Sequence, residues 1–291
     1  MNDHALTPAL DGRASGGRDS PLHVLEPVGR GLRLDLGEVW AYRELLAFLT
    51  WRDMKVRYRQ TVLGAAWAVV QPLATMVVFS LIFGRLAGLP SEGVPYPVFT
   101  FAALLPWTLF ATVLTRMSAS VVGNANLVSK IYFPRVLIPL ASIGAACIDF
   151  LVAFAILLAM MLAFDVPITW RLLALPALTV LALAAATAIG LWLAALNVRY
   201  RDVTYVVPFS VQLWQFVSPV AYSTTLVPPA WQWLYGLNPL VGVIEGFRWA
   251  LLGTAWTPGA LVAASTAITA VALAGSLAYF HRTEHAFADI V

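Results

Sequence analysis

The chain has 291 residues, of which 60% are hydrophobic and 11% charged, and its net charge is +3. A soluble domain usually carries about a quarter charged residues, so this composition excludes water as the main solvent. The small basic excess flanks apolar stretches and builds no extended face, which speaks against a nucleic-acid partner.

Residues 1–37 are rich in Gly, Pro, Asp and Arg and hold no apolar core of the signal-peptide kind, so they read as a cytoplasmic flexible tail. From 38 to 60, Tyr42, Leu45, Leu46 and Leu49 follow helical spacing, and Trp40 and Trp51 supply interfacial rings. This pattern predicts an amphipathic helix in the membrane surface, its basic cluster at 52–59 turned to lipid phosphates. A soluble helix packed on a partner is the alternative.

Residues 61–291 read as a transmembrane domain. One crossing takes about 20 apolar residues, and no Asp, Glu, Lys or Arg lies between Arg59 and Arg85, Glu92 and Arg116, Arg171 and Arg199, or Arg248 and Arg282. Only Asp149 interrupts the run from Arg135 to Asp165, and the run from Asp202 to Glu245 holds a helix plus something more. Six spans are expected, near 62–84, 97–121, 137–164, 172–196, 203–223 and 258–280. An even count puts both termini on one side, and the Lys and Arg bias makes that side cytoplasmic.

In span one, Gly64, Ala68, Gln71 and Thr75 share a face. Arg116, near the cytoplasmic end of span two, can snorkel to the interface. The connection at 124–135 predicts a short amphipathic helix, with Asn124 as its cap, Leu127 and Ile131 on one face and Pro134 beyond its end. Docking into a partner's groove and a simple turn both fit it. Asp149, within span three, faces either a watery path or a neighbouring helix.

Span five carries Gln212, Gln215, Ser218 and Tyr222 on roughly one face, with Trp214 and Phe216 beside it. Amides and hydroxyls can bind sugar hydroxyls and rings can stack on sugars, which makes Gln71, Thr75, Gln212, Trp214, Gln215, Ser218 and Tyr222 channel-lining candidates. Close helix packing explains the same residues. Residues 224–257 are too apolar for a loop and too broken by Pro and Gly for a span. They predict two short re-entrant helices on the outer face, bearing Trp231, Trp233, Tyr235 and Trp249, with Glu245 and Arg248 spaced to pair.

The sequence offers no nucleotide site. Its only lysines, Lys55 and Lys130, follow Met54 and Ser129, not the glycine of a P-loop. His281 and His285 have the spacing of a metal pair but lack a clear third ligand, and Cys147 is the only cysteine. The chain therefore reads as a non-enzyme with no cofactor of its own, any ATP being bound by a separate subunit.

Taken in order, the motifs are Trp51-Arg52-Asp53, Arg57-Tyr58, Leu63-Gly64, Trp67, Gln71-Pro72, Asn126-Leu127 with Lys130, and Phe133-Pro134-Arg135. Asp149-Phe150, Asn197 with Tyr200, Arg201-Asp202, Ser218-Pro219, Tyr222 and Asn238-Pro239 follow. The series resembles the permease subunits of type-2 ABC exporters for O-antigen, capsule and teichoic-acid polysaccharides.

The resemblance implies an all-α permease of a bacterial inner membrane, in contact with membrane lipids. It implies a homodimer of this chain, two copies of an ATP-binding subunit that hold ATP and Mg, and an undecaprenyl-linked polysaccharide as cargo. Arg52, Asp53, Arg57, Asn126, Leu127, Lys130, Tyr132, Phe133, Pro134 and Arg135 would couple to the ATPase. Asn197, Arg199, Arg201 and Asp202 would form a cytoplasmic loop, and Trp231, Trp233, Asn238, Glu245 and Arg248 the outer gate. A drug or lipid permease of the same class, or a glycan-transferring membrane enzyme, is the alternative, although the enzyme would need clustered carboxylates or histidines.

Overall fold

The computed structural model describes residues 36–59, 66–130, 133–254 and 259–287, and the described residues form helices and loops with no strand. The expected tail thus lies almost wholly outside the described residues, as do Leu63-Gly64 and Tyr132.

Two helices, α1 (Leu36–Ala41) and α2 (Arg43–Arg59), occupy the stretch expected to lie in the membrane surface. Trp40, Phe48 and Trp51 stay exposed, whereas Leu49 is buried. α2 packs on α6 (Leu137–Ala163), and Gly144 allows the approach, since a Cβ there would stand 2.2 Å from Thr50 Cγ2.

Five helical segments are long and apolar enough to cross a bilayer: Val69–Leu86, Tyr96–Gly123, Leu137–Ala163, Trp170–Arg199 and Gly259–Ala286. They correspond to the first four expected spans and the last. The first is α3 (Ala66–Phe79) running on into a π-helical turn at Ser80–Leu86, and the second is α4 (Tyr96–Gly123). A 3-10 turn at Trp170–Ala174 leads into α7 (Leu175–Arg199), and α11 (Gly259–Thr283) ends in a 3-10 turn, Glu284–Ala286.

The fifth expected span ends earlier than the reading of 203–223. The helix α8 (Val203–Val217) stops because Pro219 crowds the residue before it out of the helical region, and Ser218 is extended at φ −90°, ψ 151°. Fifteen residues rise about 22 Å, short of the roughly 30 Å hydrocarbon core.

α4 is the central strut, packed by α3, α6, α7, α8 and by α10 (Pro239–Leu252). Its fit against α7 depends on small residues: Ala182, Ala185, Ala186, Gly190 and Ala194 are buried, and a Cβ on Gly190 would meet Met117 Sδ at 2.7 Å. By contrast α3 and α11 leave most of their apolar surface uncovered.

The short amphipathic helix expected at 124–135 is α5 (Ala125–Lys130). The Asn124 side chain, expected to cap it, turns back and donates from Nδ2 to Ser120 O at 2.8 Å, closing the end of α4. In 224–257 lie a 3-10 turn (Thr224–Leu226) and two short helices, α9 (Pro229–Tyr235) and α10. Asn238 caps α10 by accepting from Leu240 N at 3.0 Å, and 13 of the 14 residues of α10 are buried.

Candidate functional site

Three apolar helices contain an internal proline: Pro72 in α3, Pro106 in α4 and Pro208 in α8. Each removes one rung of the helical ladder and leaves a carbonyl to bend away. These helices and α6 line an open cavity of about 360 Å³ on the bundle, with Pro72 and Pro208 in its wall and Gln71, Pro208 and Gln212 exposed at it.

Its polar lining comes from four helices. Gln71 and Thr75 reach it from α3, Thr108 and Thr112 from α4, Asp149 from α6, and Gln212 and Gln215 from α8. Trp107 and Phe150 add aromatic faces. The Thr75 and Thr108 hydroxyls donate to their own helices, to Gln71 O at 3.0 Å and Leu105 O at 3.1 Å, which leaves their oxygens as acceptors toward the space. Amides, hydroxyls and rings around a space of this size suit a hydroxyl-rich, partly apolar ligand.

Four channel-lining candidates, Gln71, Thr75, Gln212 and Gln215, therefore meet at one cavity. The other three lie elsewhere. Trp214 is half-buried edge-on against Phe110, with centroids 5.2 Å apart, and Ser218 is buried and accepts from Asn238 Nδ2 at 3.0 Å. Tyr222 belongs to a second constellation at one end of α4. Thr108 and Thr112 escaped the sequence reading, although their i, i+4 spacing on an apolar helix was the available signal.

That second constellation centres on Arg248, which is fully buried. Glu245 Oε1 lies 3.0 Å from its Nη1, which also donates to Tyr222 O at 3.0 Å, while Nη2 donates to Val220 O at 3.0 Å. The guanidinium also sits 3.7 Å from the Phe99 ring centroid. A buried charge costs several kcal/mol unless it is paired and its protons are satisfied. Here the pair, two carbonyls and a ring offset most of that cost, although the buried Nε–H has no partner among the described residues, and they fix the segment 218–223 to α10 and α4.

The same segment is held from other sides. Tyr96 donates to Ala221 O, and Ser223 donates to the Glu92 carboxylate. Glu92 stands in the left-handed region at φ 55°, a conformation a side chain seldom adopts without such support. Tyr222 donates to Phe216 O and Val217 O, both at 3.2 Å, at the end of α8. Tyr235 in turn donates to Tyr222 Oη at 3.0 Å, and burial raises the Tyr235 phenol far above the ordinary tyrosine range. Trp231 and Trp233 on α9 are exposed.

At the other end of α4, Arg52 donates to Asp53 at 2.8 and 3.1 Å and to Asn124 Oδ1 at 2.7 Å, joining α2 to the α4–α5 corner. Asn126 and Lys130 project from α5, Leu127 is half-buried, Phe133 is buried, and Pro134 and Arg135 are half-buried beyond it. The Arg57 side chain and Tyr132 lie outside the described residues. Asn197 is fully buried between helices, donating to Ser118 O at 2.9 Å and accepting from Thr204 at 3.0 Å. Arg199, Arg201 and Asp202 are exposed in the turn that follows it. His281 pairs with Glu284 at 2.6 Å, and no group of three metal-ligating side chains occurs among the described residues.

Five helical segments long and apolar enough to cross a bilayer define a multi-pass membrane protein. The ABC-2 type transporter family model matches residues 44–252, and the chain belongs to that family. It is thus of the kind that forms a transporter's membrane component.

Among its relatives, the O-antigen export system permease protein RfbA of Myxococcus xanthus is 29% identical over 72% of this chain and 81% of its own length. The polysialic acid transport protein KpsM of Escherichia coli is 25% identical over 81% of this chain and 92% of its own. The inner membrane transport permease YadH of Escherichia coli K12 is 29% identical, covering 64% and 75% respectively.

Proposed function

We propose that this chain is the permease subunit of an ATP-driven exporter that moves a lipid-linked, O-antigen-like polysaccharide across a bacterial inner membrane. The observation that carries the reading is the open cavity: Gln71, Gln212 and Gln215 with Trp107 offer hydroxyl-binding amides and a stacking face on an otherwise apolar bundle. The names of RfbA and KpsM point the same way.

In this reading α8 crosses the membrane as the fifth of six spans, extended by the segment after Val217, and both termini are cytoplasmic. Two copies of the chain enclose one path, and α3 and α8, which expose Trp67, Val70, Leu213 and Phe216, supply the meeting faces. Two copies of an ATP-binding subunit hold ATP and Mg. They push on α5 through Asn126 and Lys130 while Arg52 carries the movement from α2 to the α4–α5 corner. α9 and α10 form the outer gate.

The test is depletion of the protein followed by mass spectrometry of lipid-linked glycans. The reading expects an undecaprenyl-linked polymer to accumulate inside the cell while the same polymer disappears from the surface. Unchanged surface glycan with no accumulation would overturn it.

A further inference from the structure

We infer that the Tyr222–Tyr235 hydroxyl pair is a releasable catch that holds α9 over the end of the cavity-lining helix α8, with Arg248 as the fixed post beside it. The inference rests on reading the chain as half of an exporter whose outer end must open for a polymer.

α9 has little else to hold it. It packs extensively against no other helix, its Trp231 and Trp233 are exposed, and Gln232 bonds only to Val227 O in the loop leading into it. Among the described residues, the hydrogen bond that ties an α9 side chain to the body is Tyr235 to Tyr222, at 3.0 Å. The two rings lie 6.5 Å apart at 37°, too far for close stacking, so the hydroxyls make the connection.

Tyr222 faces both ways. Its backbone is clamped through Arg248 to Glu245 and Phe99, and its hydroxyl bonds Phe216 O and Val217 O, the terminal carbonyls of α8. One turn earlier α8 carries Gln212 and Gln215 into the cavity wall, and Pro208 gives it a place to bend. A tilt of α8 as cargo enters moves those carbonyls against a fixed Tyr222 backbone. The hydroxyl must then follow the carbonyls or keep Tyr235, and α9 is let go when it follows. A single neutral hydrogen bond suits a part that must release. The buried ion pair suits the part that must not.

Hydrogen–deuterium exchange on the full chain in lipid nanodiscs tests this with Tyr235→Phe and Tyr222→Phe, which keep both rings. Either variant is expected to raise exchange across Pro229–Tyr235 by about fivefold while α10 stays protected, and the double variant to add nothing further. Unchanged exchange in α9 would overturn the catch. A rise in α10 as well would also overturn it, because the pair would then be supporting the fold. No glycan enters the measurement, so a negative result here leaves the export reading standing, and a failed depletion experiment does not imitate it.

Discussion

Arg52 and Asn124, 72 residues apart in sequence, meet at 2.7 Å, and through them α2 is fastened to the corner where α4 gives way to α5. Asn124 makes that corner rigid by returning its own amide to Ser120 O. Under the proposed coupling, a push on α5 would reach α4 and α2 together. Arg52→Ala should weaken this joint and lower the thermal midpoint of the purified protein by an amount at the low end of the roughly 1.5–3 kcal/mol of a hydrogen bond to a charged group, because Arg52 is partly exposed.

Two cations beside the same corner, exposed Lys130 and half-buried Arg135, set up a test of partner contact. Lys130→Glu combined with Arg135→Glu is expected to abolish co-purification of the ATP-binding subunit while membrane insertion and yield persist. The check is affinity capture of the variant followed by quantitation of bound ATPase.

At the opposite end of α4, Glu245→Leu leaves Arg248 charged, buried and stripped of its partner. Breaking a buried pair from one side costs about 3–5 kcal/mol, so the variant should lose most of its folded fraction in a detergent thermal-shift assay. Glu245→Leu with Arg248→Met should recover part of that loss, because the orphaned charge is gone.

Gly242 sits where α10 meets α11, and a Cβ there would stand 2.3 Å from Leu261 O and 2.5 Å from Ser265 Oγ. Gly242 N also donates to Ser265 Oγ at 3.1 Å. Gly242→Val should destabilise by about 1–3 kcal/mol or more through overpacking. Gly259→Val, where a Cβ meets nothing within 4 Å, should be tolerated in the same assay.

For the cavity, Gln212→Leu and Gln215→Leu each remove one hydroxyl-binding amide while keeping volume. Each is expected to reduce surface glycan about fivefold, the worth of one hydrogen bond of about 1 kcal/mol. Thermal stability and ATPase association should not change.

Much of this was legible in the residues. Runs without charge located the long apolar helices, because burial in hydrocarbon leaves a compositional mark at every position. Gln71, Thr75, Gln212 and Gln215 were legible for the same reason, polar groups being conspicuous in apolar helices. The end of α8 was misjudged because apolar composition continues past Val217, although the backbone rule at Ser218-Pro219 was available. Asn197 and Tyr222 could not be placed from spacing. Their bonds run to Ser118 O and from Tyr235 Oη, and only helix packing decides which backbone carbonyl or hydroxyl comes within reach. Phe99 beneath Arg248 was equally invisible, since one more phenylalanine in an apolar helix carries no signal.

The most direct test of the account asks whether cargo passes through the cavity. A photo-reactive benzoylphenylalanine is placed at Gln71 or Gln215, in the cavity wall, or at Val271, which is 75% exposed on α11. Each variant is irradiated in cells that are making surface glycan. The account predicts glycan-bearing adducts at Gln71 and Gln215 and none at Val271. Adducts at all three positions alike, or none at the two cavity positions, would contradict it.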